Sequence, residues 1–338
     1  MGGKAMAHRG VQTERKTTEE HLRIQAELIP IIASMFNTEV KGVKFYHTKK
    51  DHGDCDLLIL NHGKLGNIQQ KLKDRFGIIH NNGAVVSFEY DKYQIDIIPQ
   101  PTRNWECCSD FFDYDPSGNL MGKIAHKFGL KYGFEGLVYP FRGFSGREVA
   151  DIVLSKDSKN IFTFLGFDYD RYIQGFDTLE EIYEYIINST YFDSKNFQFD
   201  ELNHIDRKRN KKRATYNGFL EYINANNISR SYKFEKNKEE YIPVIDATFQ
   251  DANLNTKLSE LKASDEKHRL AAEKFNGNIV MTITGLKDSE LGKMIVLFKE
   301  HIIFMTGMEF KDFIIATPES EIKELIQKVY TDKYLKNL

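Results

Sequence analysis

The feature that most constrains this chain is a pair of apolar segments that carry carboxylates inside them. His52-Gly53-Asp54-Cys55-Asp56-Leu57-Leu58-Ile59-Leu60 sets two aspartates at alternate positions directly before an apolar run, which reads as a buried strand. Tyr93-Gln94-Ile95-Asp96-Ile97-Ile98-Pro99 is a second such run with a third aspartate within it. Alternate residues of a strand share a face. Asp54 and Asp56 therefore point the same way, and Asp96 meets them if the two strands lie side by side. Val40 to Tyr46 precedes them as a first strand; between them, Leu65 to Phe76 reads as a helix and Ala84 to Tyr90 as a further strand. An isolated Asp-x-Asp is common in surface turns and helix caps. A glycine before it, a strand after it and a third aspartate flanked by isoleucines favour a converging acidic site.

Three converging carboxylates suit hard divalent cations, Mg²⁺ first and Mn²⁺ as the alternative, because Mg²⁺ keeps its waters and takes further oxygens from substrate phosphates. Two such ions clamp the attacking and leaving oxygens of a phosphoryl displacement. In that arrangement Asp54 and Asp56 bridge both ions. Asp96 touches only the ion on the attacking hydroxyl and can take its proton.

Gly53-Asp54-Cys55-Asp56, the hydrophobic strand after it and the isolated Asp96 in a later strand resemble the polymerase-beta-type nucleotidyltransferase superfamily. That family carries a Gly-Ser or Gly-Gly turn before its paired carboxylates. Here Lys41-Gly42 stands at a suitable distance with no second small residue after it. Ile279 to Leu286, followed by the Leu291-Gly292 helix and Gly307, looks like the body and tail helices of tRNA CCA-adding enzymes and bacterial poly(A) polymerases. The resemblance implies an α+β chain: a small mixed-sheet nucleotidyltransferase domain followed by an all-helical region. It implies transfer of a nucleoside monophosphate from an NTP to the 3′ end of RNA, tRNA or another structured RNA, with release of pyrophosphate. It also implies a nucleotide site that includes Gly42 and Gly53. Those enzymes carry an Arg-Arg-Asp-Phe-type motif after the third carboxylate, where this chain has Arg103-Asn104-Trp105-Glu106, so Arg103 is the candidate phosphate contact there. Their Glu-Asp-x-x-Arg base-selecting motif has no clear counterpart; Asp206 and Arg209 have the spacing inside a charge run.

In chain order, residues 1–16 read as a flexible start. Residues 17–118 read as the catalytic domain, 119–200 as a helical neck and 201–338 as a helical nucleic-acid-binding body and tail. Thr17-Thr18-Glu19-Glu20 resembles a capping box and opens a helix to about Phe36, which Pro30 should bend or interrupt. The turn Thr48-Lys49-Lys50-Asp51 is either a solvated hairpin tip or a triphosphate contact through Lys49, Lys50 and His52. Pro99-Gln100-Pro101 closes the strand region, since proline ends ladders. Lys123, Lys127 and Lys131, four apart, form one face of an expected helix. They are a solvated face or a hold on NTP phosphates or an RNA backbone. Ser145 to Phe192 reads as a compact helical unit, and Thr317-Pro318 as cap and first-turn proline of the last helix. Arg207, Lys208, Arg209, Lys211, Lys212 and Arg213 put six cations in seven positions, a run that phosphate backbones attract. It is expected to open a helix continuing through Ile223.

The formal net charge is −2, so a nucleic-acid binder must concentrate its positive charge locally, as that run does. Cys55, Cys107 and Cys108 are too few for a disulfide framework and lack zinc spacing. A reducing, cytoplasmic setting follows, and a monomer or homodimer is expected. Residues 1–15 contain no apolar signal segment, and no apolar run reaches membrane-spanning length. The same site also admits a protein or small-molecule acceptor, or a silent binding scaffold.

Overall fold

The computed structural model describes residues 4–100 and 105–334. It is α+β, with its mixed sheet in the N-terminal part and helices dominating after it. The chain forms two compact units. One comprises Met1–Pro140 with Asp151–Leu254, the other Phe141–Ala150 with Asn255–Leu338.

The first unit opens on β1 (Lys16–Thr17) and α1 (Thr18–Phe36). The expected capping box is present: Thr17 accepts from the Glu20 N–H, and Glu20 accepts from the Thr17 N–H at 2.9 Å. Ile24, Leu28, Ile32 and Phe36 recur every four residues and are all buried, which gives α1 one apolar stripe. Pro30 does not interrupt it; α1 runs through as one element of 19 residues. The strands β2 (Val40–Gly42), β3 (Asp51–His52) and β4 (Asp54–Leu60) follow, then α2 (Ile68–Phe76), β5 (Ile79–Asn82), β6 (Val85–Tyr90) and β7 (Tyr93–Gln100). Their sheet has the order β2-β4-β7-β6-β5. Only the β4–β7 pair is parallel, since the intervening α2 and hairpin return the chain in the same direction.

Period-two alternation sorts the sheet's two faces. Cys55, Leu57, Ile59, Val86, Phe88, Tyr93, Ile95 and Ile97 pack with the buried residues of α1 and with Leu72 of α2 into one core. The intervening Asp54, Asp56, Ser87, Gln94 and Asp96 take the other face. Burying each of those aliphatic and aromatic side chains is worth about 1.5–3 kcal/mol, so a slip of one residue, which would exchange the faces, is strongly disfavoured.

Several expectations need correction. Within the start expected to be flexible, the described residues are held in place: Met6 is fully buried, Lys16 pairs with His52, and the Glu14 N–H bonds the Lys92 carbonyl at 2.7 Å. The first strand stops at Gly42 because the chain beyond bonds elsewhere: the Lys44 N–H donates to Asp113 and the Lys44 carbonyl accepts from Tyr114. The strand region does close within Pro99-Gln100, where β7 ends; Pro99 itself still lies inside β7 opposite Ile59, beyond the Ile97 position where pairing with β6 ends, so on that side no N–H is needed.

Beyond the sheet come α3 (Trp105–Phe112) and α4 (Ser117–Lys127). The helical neck then fails as an expectation: β8 (Lys131–Gly133), β9 (Gly136–Arg142) and β10 (Glu148–Ser155) form a three-stranded sheet in the order β10-β9-β8. Lys131 thus belongs to a strand, where it pairs with Asp151 at 3.3 Å. Helices α5 (Ser158–Phe164), α6 (Tyr169–Ile173) and α7 (Leu179–Ile187) complete the aromatic core of this unit. The charge run does not open one helix. It ends α8 (His204–Asn210) and precedes α9 (Ala214–Ala225). Arg207, Lys208 and Arg209 occupy the last turn of α8, the end of the helix dipole that favours cations. The Asn217 side chain donates to the Arg213 carbonyl at 2.7 Å and sits within reach of the Asn210 and Lys211 carbonyls, fastening the break. A short α10 (Ile242–Thr248) leads out of this unit.

The second unit contains the rest of α11 (Leu254–Lys274), then α12 (Gly277–Thr284), α13 (Asp288–Thr306), α14 (Phe310–Ala316) and α15 (Glu319–Val329). Its own core is Phe275, Val280, Met294, Phe298, Ile302, Ile314, Ile322 and Ile326. The N-cap of α15 is Pro318 rather than Thr317, whose hydroxyl instead donates to the Phe313 carbonyl of α14.

Candidate active site

The parallel pairing of β4 and β7 sets Asp56 directly beside Asp96, with Asp54 two residues away on the same face. Asp54 and Asp56 line a cavity of about 1040 Å³ that lies within the first unit. Burial, with Asp54, Asp96 and Asp115 nearby, pushes the Asp56 carboxyl well above the ordinary carboxylate range. Burial and Asp54 likewise push Asp96 up to about 6, against the opposing hydrogen bonds from Ser87 and Gln94. Like charges confined together are costly, and a divalent cation is the simplest group that removes the cost.

A cationic group already faces this cluster. Burial pulls the Lys49 ammonium down from its usual range, while Asp115, Asp54 and Asp56 hold it up. The turn that carries Lys49 leaves Thr48, Lys50 and Asp51 exposed, with Lys49 itself half-buried. It is tied down because the Thr18 hydroxyl donates to the Lys49 carbonyl and the Thr18 N–H donates to the Lys50 carbonyl. His52 is buried; its ring stacks on that of His21 with centroids 3.9 Å apart. Burial, aided by Lys49, lowers His52 to about 3 and His21 to about 4. Both rings are thus neutral near pH 7, so His52 offers an anion a wall and not a charge. Tyr93 links the two parts: its hydroxyl donates to the Asp54 carbonyl at 2.6 Å and lies 2.9 Å from His21 Nδ1.

Residues of α4 and α8 line the same cavity. Lys123 is 5% exposed and pairs with Asp206 at 2.7 Å, with His126 Nδ1 3.8 Å from the same carboxylate. Burial lowers Lys123, while Asp206 opposes that shift. Lys123 is therefore an internal partner of Asp206 before it is a phosphate ligand. Arg209, Lys212 and Arg213 also line the cavity, and burial with Arg209 nearby lowers the Arg213 guanidinium. Asp206 and Arg209, which share the Asp-x-x-Arg spacing, thus reach the same cavity.

Other candidates separate from it. Lys50 and Gly53 line the cavity, whereas Gly42, Lys127, Arg207, Lys208 and Lys211 are not among the residues that do; nor is Asp96, which stands on β7 next to the cavity-lining Asp56. A Cβ at Gly42 would stand 1.8 Å from Gln25 Nε2, so this glycine serves the approach of α1. Arg207 donates to the Leu202 carbonyl at 3.0 Å, and Lys211 lies over the Phe199 ring at 5.9 Å. Arg103 lies outside the described residues.

No family model matches the chain, and no curated protein matches it. The site therefore rests on its own chemistry. Its donors are carboxylate oxygens, the set preferred by Mg²⁺ or Mn²⁺. Among the described residues no three His, Cys, Asp or Glu side chains already gather around one point as a cage. Two ions that share bridging carboxylates and borrow phosphate oxygens ask for no such cage, so the residues present fit them.

Sequence reasoning missed Lys44, Arg15, His21, Asp115 and Glu180, all of which line the cavity. None stands in a motif. Asp115 is brought in by the turn after α3, and Thr215 at the start of α9 donates to it at 3.2 Å.

Proposed function

We propose that the first unit is a nucleotidyltransferase that moves a nucleoside monophosphate from an NTP to a hydroxyl and releases pyrophosphate. The observation that carries this reading is the register that sets Asp96 beside Asp56, with Asp54 on the same face, where Asp54 and Asp56 line a cavity that Lys49, Lys50, Arg209, Lys212 and Arg213 also line. Asp54, Asp56 and Asp96 would hold two Mg²⁺ ions. Bound there, such ions neutralise phosphate charge and make a hydroxyl a better nucleophile.

The chain's own groups do the rest by placement and charge, which is most of what phosphoryl transfer asks of a protein. Lys49 stands beside the carboxylates and offers positive charge to the phosphates. Lys50, Arg209, Lys212 and Arg213 extend that charge along the wall. Asp206, held by Lys123, presents a fixed carboxylate at the α4–α8 side, suited to a base amino group. His21 and His52, kept neutral, help keep water from the reacting end.

For the acceptor we favour the 3′ end of an RNA, tRNA or another structured RNA. The cations of α8 extend from the cavity onto exposed Lys208 and Lys211, a path that a phosphate backbone can follow. A protein or small-molecule acceptor is the second reading, favoured by one observation: Arg209, Lys212 and Arg213, half of the charge run, line the cavity and are available to the NTP itself.

Incubation with Mg²⁺, each labelled NTP in turn, and RNA or protein acceptors distinguishes these. Label on RNA is expected, with Lys208→Ala/Lys211→Ala weakening RNA binding and reducing its salt slope by about 2. Label on protein alone would remove the RNA reading.

A further inference from the structure

Gln94 is 2% exposed and sits two residues before Asp96 on the same face of β7. Its side-chain N–H donates to both Asp96 oxygens, at 3.0 and 3.1 Å. Its carbonyl oxygen accepts from the backbone N–H groups of Ala5 and Met6, at 2.8 and 3.4 Å. The two ends of a side-chain amide have nearly the same shape, so their orientation is decided by their partners. Backbone N–H groups can be met only by the carbonyl end. The amino end is thereby turned onto Asp96.

The donors are the first residue of a short helical turn, Met6–Arg9, and the Ala5 that caps it, a turn that is itself fixed. Met6 has no exposed surface, and the chain after it is fastened through Glu14 to Lys92 and through Lys16 to His52. On the other side of Asp96, buried Ser87 stands directly opposite on β6 and hydrogen-bonds its carboxylate. An ionised carboxylate has roughly four acceptor directions. Bonds from Gln94 and Ser87 therefore orient Asp96 and still leave lone pairs for a cation.

We infer that Gln94 is a positioning residue for the third metal-binding carboxylate, and that the N-terminal arm is part of the active-site apparatus because it sets the direction of the Gln94 amide. The inference rests on the two-ion reading proposed above. Neither Ala5 nor Met6 lines the cavity, so the arm acts through Gln94 and not by touching substrate.

The test is Mn²⁺ binding to the full chain without nucleotide, by calorimetry or electron paramagnetic resonance, beside turnover. Gln94→Met keeps the length of the side chain and removes both sets of hydrogen bonds. Ala5→Pro removes one N–H at a residue whose φ of −65° proline adopts. Each is expected to weaken Mn²⁺ binding by about 10–100-fold, the usual effect of losing the partner of a metal ligand, and to lower kcat far more than it changes KM for the NTP. Should Gln94→Met fail to fold, Ala5→Pro alone decides. Asp96→Asn is the control. Loss of Mn²⁺ binding in Asp96→Asn with wild-type affinity in Ala5→Pro and in any folded Gln94→Met would overturn the positioning role and leave the metal site standing. Wild-type affinity in Asp96→Asn would overturn the metal site and the positioning role together.

Discussion

Asp56 is the residue at which function and stability conflict most directly. It is half-buried beside Asp54 and Asp96, and desolvation with the charges of Asp54, Asp96 and Asp115 disfavours its charged form, against Lys49. Asp56→Asn is therefore expected to raise the thermal midpoint of the metal-free protein at pH 7 while abolishing turnover. Differential scanning calorimetry beside an incorporation assay would show it; an unchanged or lower midpoint would mean that the carboxylates are not crowded in solution. His21 gives the opposite pH dependence. Burial lowers its folded-state value to about 4, against 6.5 in an unfolded chain. The unfolded state then binds the proton first, so stability is complete above pH 6.5 and is lost as pH falls towards 4. This one ring should cost about 2 kcal/mol between pH 7.5 and pH 5. Urea unfolding of wild type and His21→Gln at the two pH values measures the difference, which should shrink in the variant. The three aspartates were legible in the sequence because strand alternation reports facing directly. His21 was not: it lies among the core positions of α1, and only the fold stacks it on His52.

At the scale of elements, α1 and the β4–β7 pair carry the site. Leu28 lies at the centre of the α1 stripe and is fully buried against the sheet. Leu28→Ala should destabilise the first unit by about 2–5 kcal/mol, read as a lowered denaturant midpoint with a similar m-value. Elements with strong local signals were legible: the capped α1 and the strands β4, β6 and β7. Elements whose hydrogen bonds are set from afar were not. Val43 to Tyr46 look like strand by composition, yet Asp113 and Tyr114 take the Lys44 backbone groups. Lys123, Lys127 and Lys131 mimic a helical face, but Gly129, with φ of +80°, turns the chain before Lys131 and sends it into β8. The N-terminal arm has no periodicity at all, because it is bound by Gln94, Lys92 and His52 and not by its own repeats.

At the scale of the whole molecule, a net charge of −2 coexists with a cavity in which cations of the Lys49 turn and of α8 face a carboxylate cluster. That separation of sign within one cavity suits a polyphosphate carrying divalent ions, and catalysis at such a site depends on charge held in place before substrate arrives. Among the described residues no helix is long and apolar enough to cross a membrane. The second unit has its own aromatic and aliphatic core. The two-ion site is tested by Mg²⁺-dependent release of pyrophosphate from NTPs in the presence of RNA, by wild type and by Asp54→Asn and Asp56→Asn. Release is expected from wild type only, lost on chelation, with both variants folded. Pyrophosphate release that persists in folded Asp54→Asn and Asp56→Asn would contradict it.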